Sequence, residues 1–430
     1  MAGQDTSSYN AVLRTVYQGG IREMIPQMVP VLDLFMEVED HTWGGNFVEY
    51  EARVGRNEGS GWAAEDGALP AAGRQQYVDV RIPMRYHYGR IRLTKQVMEH
   101  SSTNKFAAAQ ALDQEMQGMI RDMAADTART IFGDGRGILA FVNGTATSTT
   151  QTLDSPGGWA GSVNGARFIN KTAIVGTINP ATGQLRSGSV TTVQNYATTG
   201  LTITVSPSVT WTDNDYVVRV HNLSATDVAD TSYGKEAMGL QGLVDDGTYV
   251  ATLNGVNRVT YPSFASTVIG SVGPLSADVF QRAADVADER GGGDITDLIM
   301  HHSVRRAYLA TLEGERRYSG SELMNPDGGT KAMKKGRMTF GGIGIIVDKY
   351  APYGVVFAVD RSGFKKYTAI SGEWMNDDGG AILKQIGTGD SLRDSYEAVY
   401  RSWFNFNNEF PNRSARLDGV SATAVVVHNE

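Results

Sequence analysis

The sequence predicts an α+β protein with a small inserted all-β module, and three observations support this fold class. Apolar and polar residues alternate over 48–54 and again over 78–84, as in half-buried strands. Apolar residues recur at three- and four-residue steps from Phe106 to Ile131, as in a long amphipathic helix. From 141 to 222 the chain is rich in Thr, Ser, Gly and Asn, which is typical of short strands joined by turns.

The two alternating segments predict a long β-hairpin whose arms each span about 25–30 Å. A glycine- and alanine-rich segment, residues 55–74, separates the arms and is much longer than a tight turn requires. An isolated two-stranded hairpin is marginal in water. Its apolar faces therefore need cover, and the cover comes either from the same chain or from a neighbouring subunit.

The helical segment has signals at both ends. Residues 101–104, Ser-Ser-Thr-Asn, offer N-caps, and Gly133 offers a stop. We expect one helix of nearly thirty residues, about 40 Å long. Its stripe includes Met116, Met119 and Met123, which we expect in the core rather than in an adaptable binding groove.

The segments around these elements are also interpretable. The first forty residues contain Gly19-Gly20, Pro26 and Pro30, so they form either an arm lying on another surface or a short helix pair. A late segment, 396–406, alternates over eleven residues and must run beside another long element. The third part, from about 231 to 394, predicts helices after Ser276 and over 303–312, strands over 297–300, 342–347 and 354–360, and a polar loop over 313–337.

Composition excludes several classes of protein. The chain has no cysteine, so disulfides, thiolate metal sites and cysteine nucleophiles are excluded. Its formal charge of −8 and scattered basic residues do not suit sequence-specific nucleic-acid binding. No apolar stretch approaches the ~20 residues of a membrane-spanning helix, and no secretory signal is visible. We expect a protein made in the cytoplasm that does not bind a membrane.

We find no motif for catalysis, a cofactor or a metal. Phosphate-loop, dinucleotide and nucleophile-elbow patterns are missing. The His301-His302 pair is poorly arranged for a metal if it ends a strand, because adjacent side chains then point to opposite faces. Asp245-Asp246 and Asp377-Asp378 lie beside glycine, so we expect both pairs in solvated turns.

The order of these elements resembles the major capsid proteins of tailed phages, which have the Hong Kong 97-like fold. The matching stretches are FVEYEARV with QYVDVRIPM, RIRLTKQVMEHSSTNKFAAAQALDQEMQGMIRDMA, and GGIGIIVDKYAPYGVVFAVD. The resemblance implies an N-terminal arm (1–42), an extended hairpin or E-loop (43–95), a peripheral domain with a spine helix (96–140), an inserted β-rich module (141–225), an axial domain (226–394) and a C-terminal long strand (395–430).

The family resemblance implies a shell of hexamers and pentamers that encloses double-stranded DNA without sequence-specific contacts. The hairpin and arm would act as clasps, with apolar strand faces covered by a neighbouring subunit. The hairpin tip residues Trp62, Glu65, Asp66 and Arg74 are our candidate contacts, since a Trp among small residues needs a place to insert. The alternative is that Trp62 packs on its own hairpin. In the axial domain, the loop with Arg316 and Arg317 is a candidate for ring contacts.

Two departures from the family pattern set further expectations. Some members form a covalent cross-link through a hairpin lysine, but the first lysine here is Lys95. We therefore expect a non-covalent shell, with a separate cement protein as an option. The hairpin begins within the first fifty residues, so any scaffold is expected to be a separate protein, and a portal would be a further partner.

Three rivals stay open: an encapsulin-type bacterial compartment with the same fold, a carbohydrate-active enzyme with a β-rich module, and a tail component. The capsid reading predicts a virion protein that is not an enzyme and carries no cofactor.

Overall fold

The computed structural model describes residues 31–38, 47–96, 105–161, 163–315, 339–375, 384–386 and 394–423. Its helices are α1 (Lys105–Thr130), α2 (Leu240–Leu243), α3 (Ala277–Gly291) and α4 (His302–Glu315). Its strands are β1 (Met36–Val38), β2 (Phe47–Gly55), β3 (Gln76–Pro83), β4 (Arg85–Thr94), β5 (Ile138–Val142), β6 (Ala146–Asp154), β7 (Ile174–Ile178), β8 (Thr191–Tyr196), β9 (Thr202–Trp211), β10 (Tyr216–Arg219), β11 (Thr252–Leu253), β12 (Val256–Asn257), β13 (Thr267–Ile269), β14 (Asp297–Met300), β15 (Thr339–Phe340), β16 (Ile343–Val347), β17 (Val356–Val359), β18 (Phe364–Trp374), β19 (Lys384–Gln385), β20 (Ser395–Asn408) and β21 (Ala415–Leu417).

The predicted hairpin is present as a two-stranded antiparallel ribbon of β2 and β3. Val48 lies opposite Ile82 and Tyr50 lies opposite Val80, so the apolar residues of both strands share one face. This register is the one that the alternation predicts, because a slip of one residue would expose the whole apolar set. Residues 56–75 join the strands as a long projecting tip.

A five-stranded sheet lies beside the ribbon and is organised by β20. This fourteen-residue strand pairs antiparallel with β4 on one side and with β18 on the other. The prediction that the late segment runs beside another long element is therefore confirmed. Helix α1 packs on β4, where a Cβ at Gly89 would lie 2.5 Å from the Met123 sulfur. Met123 is buried as predicted, whereas Met116 and Met119 are half-buried.

The inserted segment forms a closed six-stranded barrel in the order β10-β5-β6-β9-β8-β7. Its interior holds apolar side chains such as Val193, Val205 and Trp211. Those side chains belong to one hydrophobic core that continues through Leu240 of α2 to Phe357 of β17. The prediction of an all-β segment is correct, and the barrel shares its core with the rest of the molecule.

A mixed six-stranded sheet in the order β13-β21-β17-β14-β16-β15 forms the third part. Helices α3 and α4 cover it, and Phe280 of α3 packs edge-to-face on Tyr308 of α4. Helix α3 ends as predicted within the glycine run, where Gly292 takes the left-handed conformation with φ 59°.

The first described residues belong to the main hydrophobic core, the one that the barrel shares. Val31, Leu34 and Phe35 are buried, and β1 then adds to β18 as a parallel edge strand. The predictions for residues 1–30 and for most of the 313–337 loop lie outside the described residues. The limits of the six domains stay predictions. Among the described helices, none combines the length and the apolar character needed to cross a bilayer.

Candidate assembly surface

The tip of the ribbon is the most exposed apolar feature among the described residues. Trp62 is fully exposed, at 105% of its reference surface, and Leu69 is 84% exposed. An exposed indole of this size cannot be packing on its own hairpin, so that alternative for Trp62 is wrong. Large apolar side chains held in water on a projecting element are typical of a surface that another molecule covers.

Local hydrogen bonds lie at both ends of the tip. Asn57 Oδ1 accepts from the Gly59 N–H at 2.8 Å, and Asn57 Nδ2 donates to the Gly73 carbonyl at 3.1 Å, which ties the two ends of the tip together. At the far end, the Gly67 N–H donates to the Ala64 carbonyl at 2.9 Å and closes a tight turn. Asp66 in that turn has φ 60°, which Asp tolerates better than most residues.

The tip combines this apolar surface with charge. Glu65 and Asp66 are both exposed and lie in sequence between Trp62 and Leu69. Arg74 is exposed near the start of β3. The four predicted contact residues are thus all accessible on one projecting segment. They can offer a partner an aromatic anchor flanked by carboxylates, a combination that suits a pocket with an apolar floor and basic edges.

The lower half of the ribbon contradicts part of the sequence hypothesis. Val80 is buried in the main core of the same chain, and Ile82 is buried in a cluster with Val48 and Tyr367 of β18. The apolar strand faces are therefore covered by the chain itself and not by a neighbouring subunit. The clasp hypothesis is wrong for these faces, because β18 and the main core already supply the cover. For the tip it stays a prediction.

Polar contacts also join the lower ribbon to the body. Asn407 Nδ2 donates to the Tyr50 hydroxyl at 3.1 Å, and Asn405 Nδ2 donates to the Pro83 carbonyl at 2.7 Å. Burial raises the pKa of Tyr50 to about 12, although the Asn407 hydrogen bond acts in the opposite direction. Sequence reasoning missed these asparagines, because a polar residue in an alternating strand is ordinarily assigned to the solvent face.

A second exposed aromatic surface lies on β4 and β20. Tyr86 and Tyr88 are each about half exposed, and Tyr86 meets Trp403 edge-to-face with ring centroids 5.1 Å apart. The guanidinium of Arg401 lies 5.4 Å from the Trp403 ring centroid. Arg401 is already paired with Glu373, so this face presents exposed aromatic rings and an ion pair that is closed within the chain.

The remaining predicted sites lie only partly among the described residues. Arg316, Arg317 and the Asp377-Asp378 pair lie outside the described residues. Nδ1 of His301 accepts from the Ser303 N–H at 3.1 Å, next to the first turn of α4, and burial lowers the pKa of His301 to about 3. The described ranges contain no cluster of three or more His, Asp or Glu residues that could hold a metal.

The expectation for Asp245 is wrong. Asp245 is fully buried and pairs with Arg258 at 3.4 Å and with Arg416 at 3.1 Å. It also accepts from the backbone N–H groups of residues 247, 249 and 250 at 3.0 Å each. Asp246 alone is exposed as predicted. Asp245 is thus a buried structural carboxylate that binds Arg258, Arg416 and the backbone of its own turn, and it is inaccessible to a substrate.

A cleft with a volume of about 390 Å³ lies on the barrel. Its lining is mostly Thr, Ser, Asn and Gln side chains, together with Arg186. Arg186 is already bound in a bidentate pair to the buried carboxylate of Asp215. The cleft therefore presents no pair of carboxylates of the kind that a glycosidase requires.

The comparisons with solved structures agree with this architecture. The chain is similar to a structure described as the cyanophage A-1(L) capsid asymmetric unit, with 10% identity, a TM-score of 0.57 and coverage of 93% of this chain and 95% of that chain. A native GTA particle capsid matches with 9% identity, TM-score 0.46 and 94% coverage of both chains. Mycobacterium phage Ogopogo matches with 11% identity, TM-score 0.44 and coverage of 98% and 100%.

The fold assignment rests on the first of these structures. It confirms the predicted α+β fold of the Hong Kong 97-like type. No protein-family model matches the sequence, and no curated protein matches it.

Proposed function

We propose that this chain is a major capsid protein that assembles into an icosahedral shell around packaged phage DNA. The observation that carries the proposal is the fully exposed Trp62 on a tip whose supporting ribbon has its apolar face buried in its own chain. The similarity to a phage capsid structure over nearly the whole length of both chains supports it. On this proposal the chain has a structural role in the virion and no enzymatic activity.

The proposed contact is made by the tip alone. The lower ribbon is already covered, so it acts as a stalk that presents Trp62 and Leu69 to a second copy. A Trp in a desolvated interface pocket commonly contributes about 2 kcal/mol or more to association. Because each copy gives one tip and receives one, the contact repeats around a ring and closes hexamers and pentamers.

The formal charge of −8 favours a protein that encloses DNA without binding it tightly. A shell protein that bound phosphate tightly would hinder packing and release, so a mildly acidic chain suits a container better than a DNA-binding protein. A separate scaffold, a cement protein and a portal remain proposed partners, and Arg316 and Arg317 remain proposed ring contacts. Nothing in the contacts described above favours the encapsulin, tail or carbohydrate-active alternatives.

Deletion of residues 57–72 tests the proposal. The deletion removes Trp62 and Leu69 but none of the buried ribbon residues, so the variant should keep the thermal stability of the parent. It should fail to form closed shells in negative-stain electron microscopy. Parent-like particles from the deletion variant, or a parent protein that stays a small oligomer under all assembly conditions, would reject the proposal.

A further inference from the structure

Three asparagines meet where the ribbon joins the body. Asn405 and Asn407 lie on β20, and Asn254 lies in the turn between β11 and β12. We call these three residues the asparagine joint. Asn405 and Asn407 are buried, and Asn254 is only 9% exposed. Three polar side chains in one buried region need a reason, because an unsatisfied buried amide costs about 1–3 kcal/mol.

Asn407 is the centre of the joint. Its Oδ1 accepts from Asn254 Nδ2 at 2.8 Å, and its Nδ2 donates to the Tyr50 hydroxyl at 3.1 Å. One side chain thereby connects the central sheet, the short β11–β12 hairpin and strand β2 of the ribbon. Neither bond can be replaced by water without opening the interface, because Asn407 is fully buried.

Asn254 holds the other strand of the ribbon through its backbone. Its carbonyl accepts from the Arg81 N–H of β3 at 2.9 Å. Asn254 and Gly255 form the two-residue turn with φ 49° and 89°, the positive φ values that an Asn-Gly turn favours. The turn therefore lets the backbone carbonyl of Asn254 accept from Arg81 while its side-chain amide donates to Asn407.

Asn405 ties the ribbon at a second level. Its Nδ2 donates to the carbonyl of Pro83 at the end of β3, and its Oδ1 accepts from the Met238 N–H at 2.9 Å. The hydrogen bonds at Tyr50, Arg81 and Pro83 involve both strands of the ribbon and lie at different positions along them. Such an arrangement opposes both bending and twisting of the ribbon, whereas a single tie would act as a pivot.

We propose that Asn405 and Asn407 are positioning residues that fix the angle between the ribbon and the body, and so fix where the tip lies. An apolar contact alone is non-directional and tolerates sliding. Hydrogen bonds are directional, so a buried hydrogen-bond network favours one geometry and rigidifies the elements that it joins. The inference deepens the proposed function, on which it rests for its significance, because a ring closes only if each tip reaches the next subunit at a constant angle.

The test measures the angle directly in the full-length chain. The sequence has no cysteine, so spin labels at Ser60→Cys in the tip and Ala277→Cys on α3 will report one tip-to-body distance without background. Labelled protein is diluted with unlabelled protein, and the distance distribution is recorded by pulsed electron paramagnetic resonance. The parent should give one narrow distribution. Asn407→Leu keeps the number and branching of the side-chain heavy atoms but removes both bonds, and it should at least double the width.

Asn408→Leu is the matched control. Asn408 is buried in the same strand, but its Oδ1 accepts from the Phe410 N–H at 3.1 Å instead of reaching the ribbon. It should leave the distribution narrow. If Asn407→Leu does not fold, Tyr50→Phe removes only the hydroxyl partner and should still broaden the distribution. Equal broadening by Asn408→Leu, or a narrow distribution in both Asn407→Leu and Tyr50→Phe, would overturn the inference.

Failure of this inference is distinguishable from failure of the proposed function. The label distance depends on one chain, whereas shell formation depends on many. A parent with a narrow distance and no shells would leave the joint standing and reject the capsid proposal. A parent that forms shells but has a broad distance distribution would support the capsid proposal and reject the role of the joint.

Discussion

The lower half of the hairpin (β2 and β3) and its upper half (the tip, residues 56–75) differ both in sequence texture and in surroundings. In the lower half, Val80 is completely buried and belongs to the main core of the molecule. In the upper half, Trp62 is in full contact with solvent. The lower half is therefore part of the folded chain, and the upper half is a surface whose apolar residues contribute nothing to its stability. Mutations in the two halves should separate folding from assembly.

The largest expected effect comes from placing a charge in the lower half. Val80→Asp buries a carboxylate in an apolar core, and we expect a loss of about 4 kcal/mol or more of unfolding free energy. Soluble yield and thermal unfolding measure it. Leu69→Asp makes a similar change in the tip and should unfold at the parent temperature. Equal loss of stability in both variants would contradict the division of the ribbon.

The next effect concerns assembly alone. Trp62→Ala removes an exposed side chain, so unfolding free energy should change by less than about 0.5 kcal/mol. If the indole fills a pocket on a second copy, the critical concentration for assembly should rise by about 30-fold, which corresponds to ~2 kcal/mol per contact. Light scattering against concentration measures it, with Ala63→Ser as control. An unchanged critical concentration would exclude Trp62 as an anchor.

A smaller effect should appear at high pH in the lower half. The pKa of Tyr50 is about 12 in the folded chain, against about 10 for an ordinary tyrosine. A raised pKa means that the stabilising contribution is complete below pH 10 and is lost as the pH rises from 10 to 12. Tyr50→Phe lacks this contribution, so its stability should fall less steeply over that range. Parallel pH profiles for the two proteins would contradict the assignment.

The smallest effect should come from the outer face of the lower ribbon. Arg81 Nε donates to Glu49 Oε1 at 2.7 Å, but both side chains are exposed, at 60% and 39%. Exposed pairs of this kind contribute little and are screened by salt. Glu49→Gln should leave the thermal unfolding temperature unchanged at 0.15 M salt. A clear drop would show that the ion pair, and not the apolar face, holds the ribbon.

The sequence predicted which residues share a face and which segments are strands, because both follow from local periodicity. It correctly placed Val48, Val80 and Ile82 on one apolar face. It could not show what covers that face, because the cover comes from Tyr367 and from the main core, both of which lie far from the face along the chain. The alternation of apolar and polar residues identifies a strand and its apolar face, but it does not identify the residues that pack against that face.

Polar residues in the core were the least predictable. Asp245 precedes Asp246 and Gly247 and has the local sequence of a turn, yet its partners Arg258 and Arg416 make it a buried anion. Asn407 breaks an apolar pattern and binds Asn254, which lies 153 positions away. The exposed tip was easier to predict, because a single Trp among Gly and Ala has no local partner. Residues whose role depends on distant partners leave no periodic signal.

Because the barrel is closed, its strands cannot pair with the strands of a neighbouring molecule. Each of its six strands has hydrogen-bonded neighbours on both sides, so the barrel offers no open β-edge to a neighbouring molecule. An open sheet repeated hundreds of times on one particle could pair with its counterparts and glue particles together. A closed cylinder of strands avoids that hazard, so on the proposed function many copies of the barrel can lie close together without pairing through strand edges.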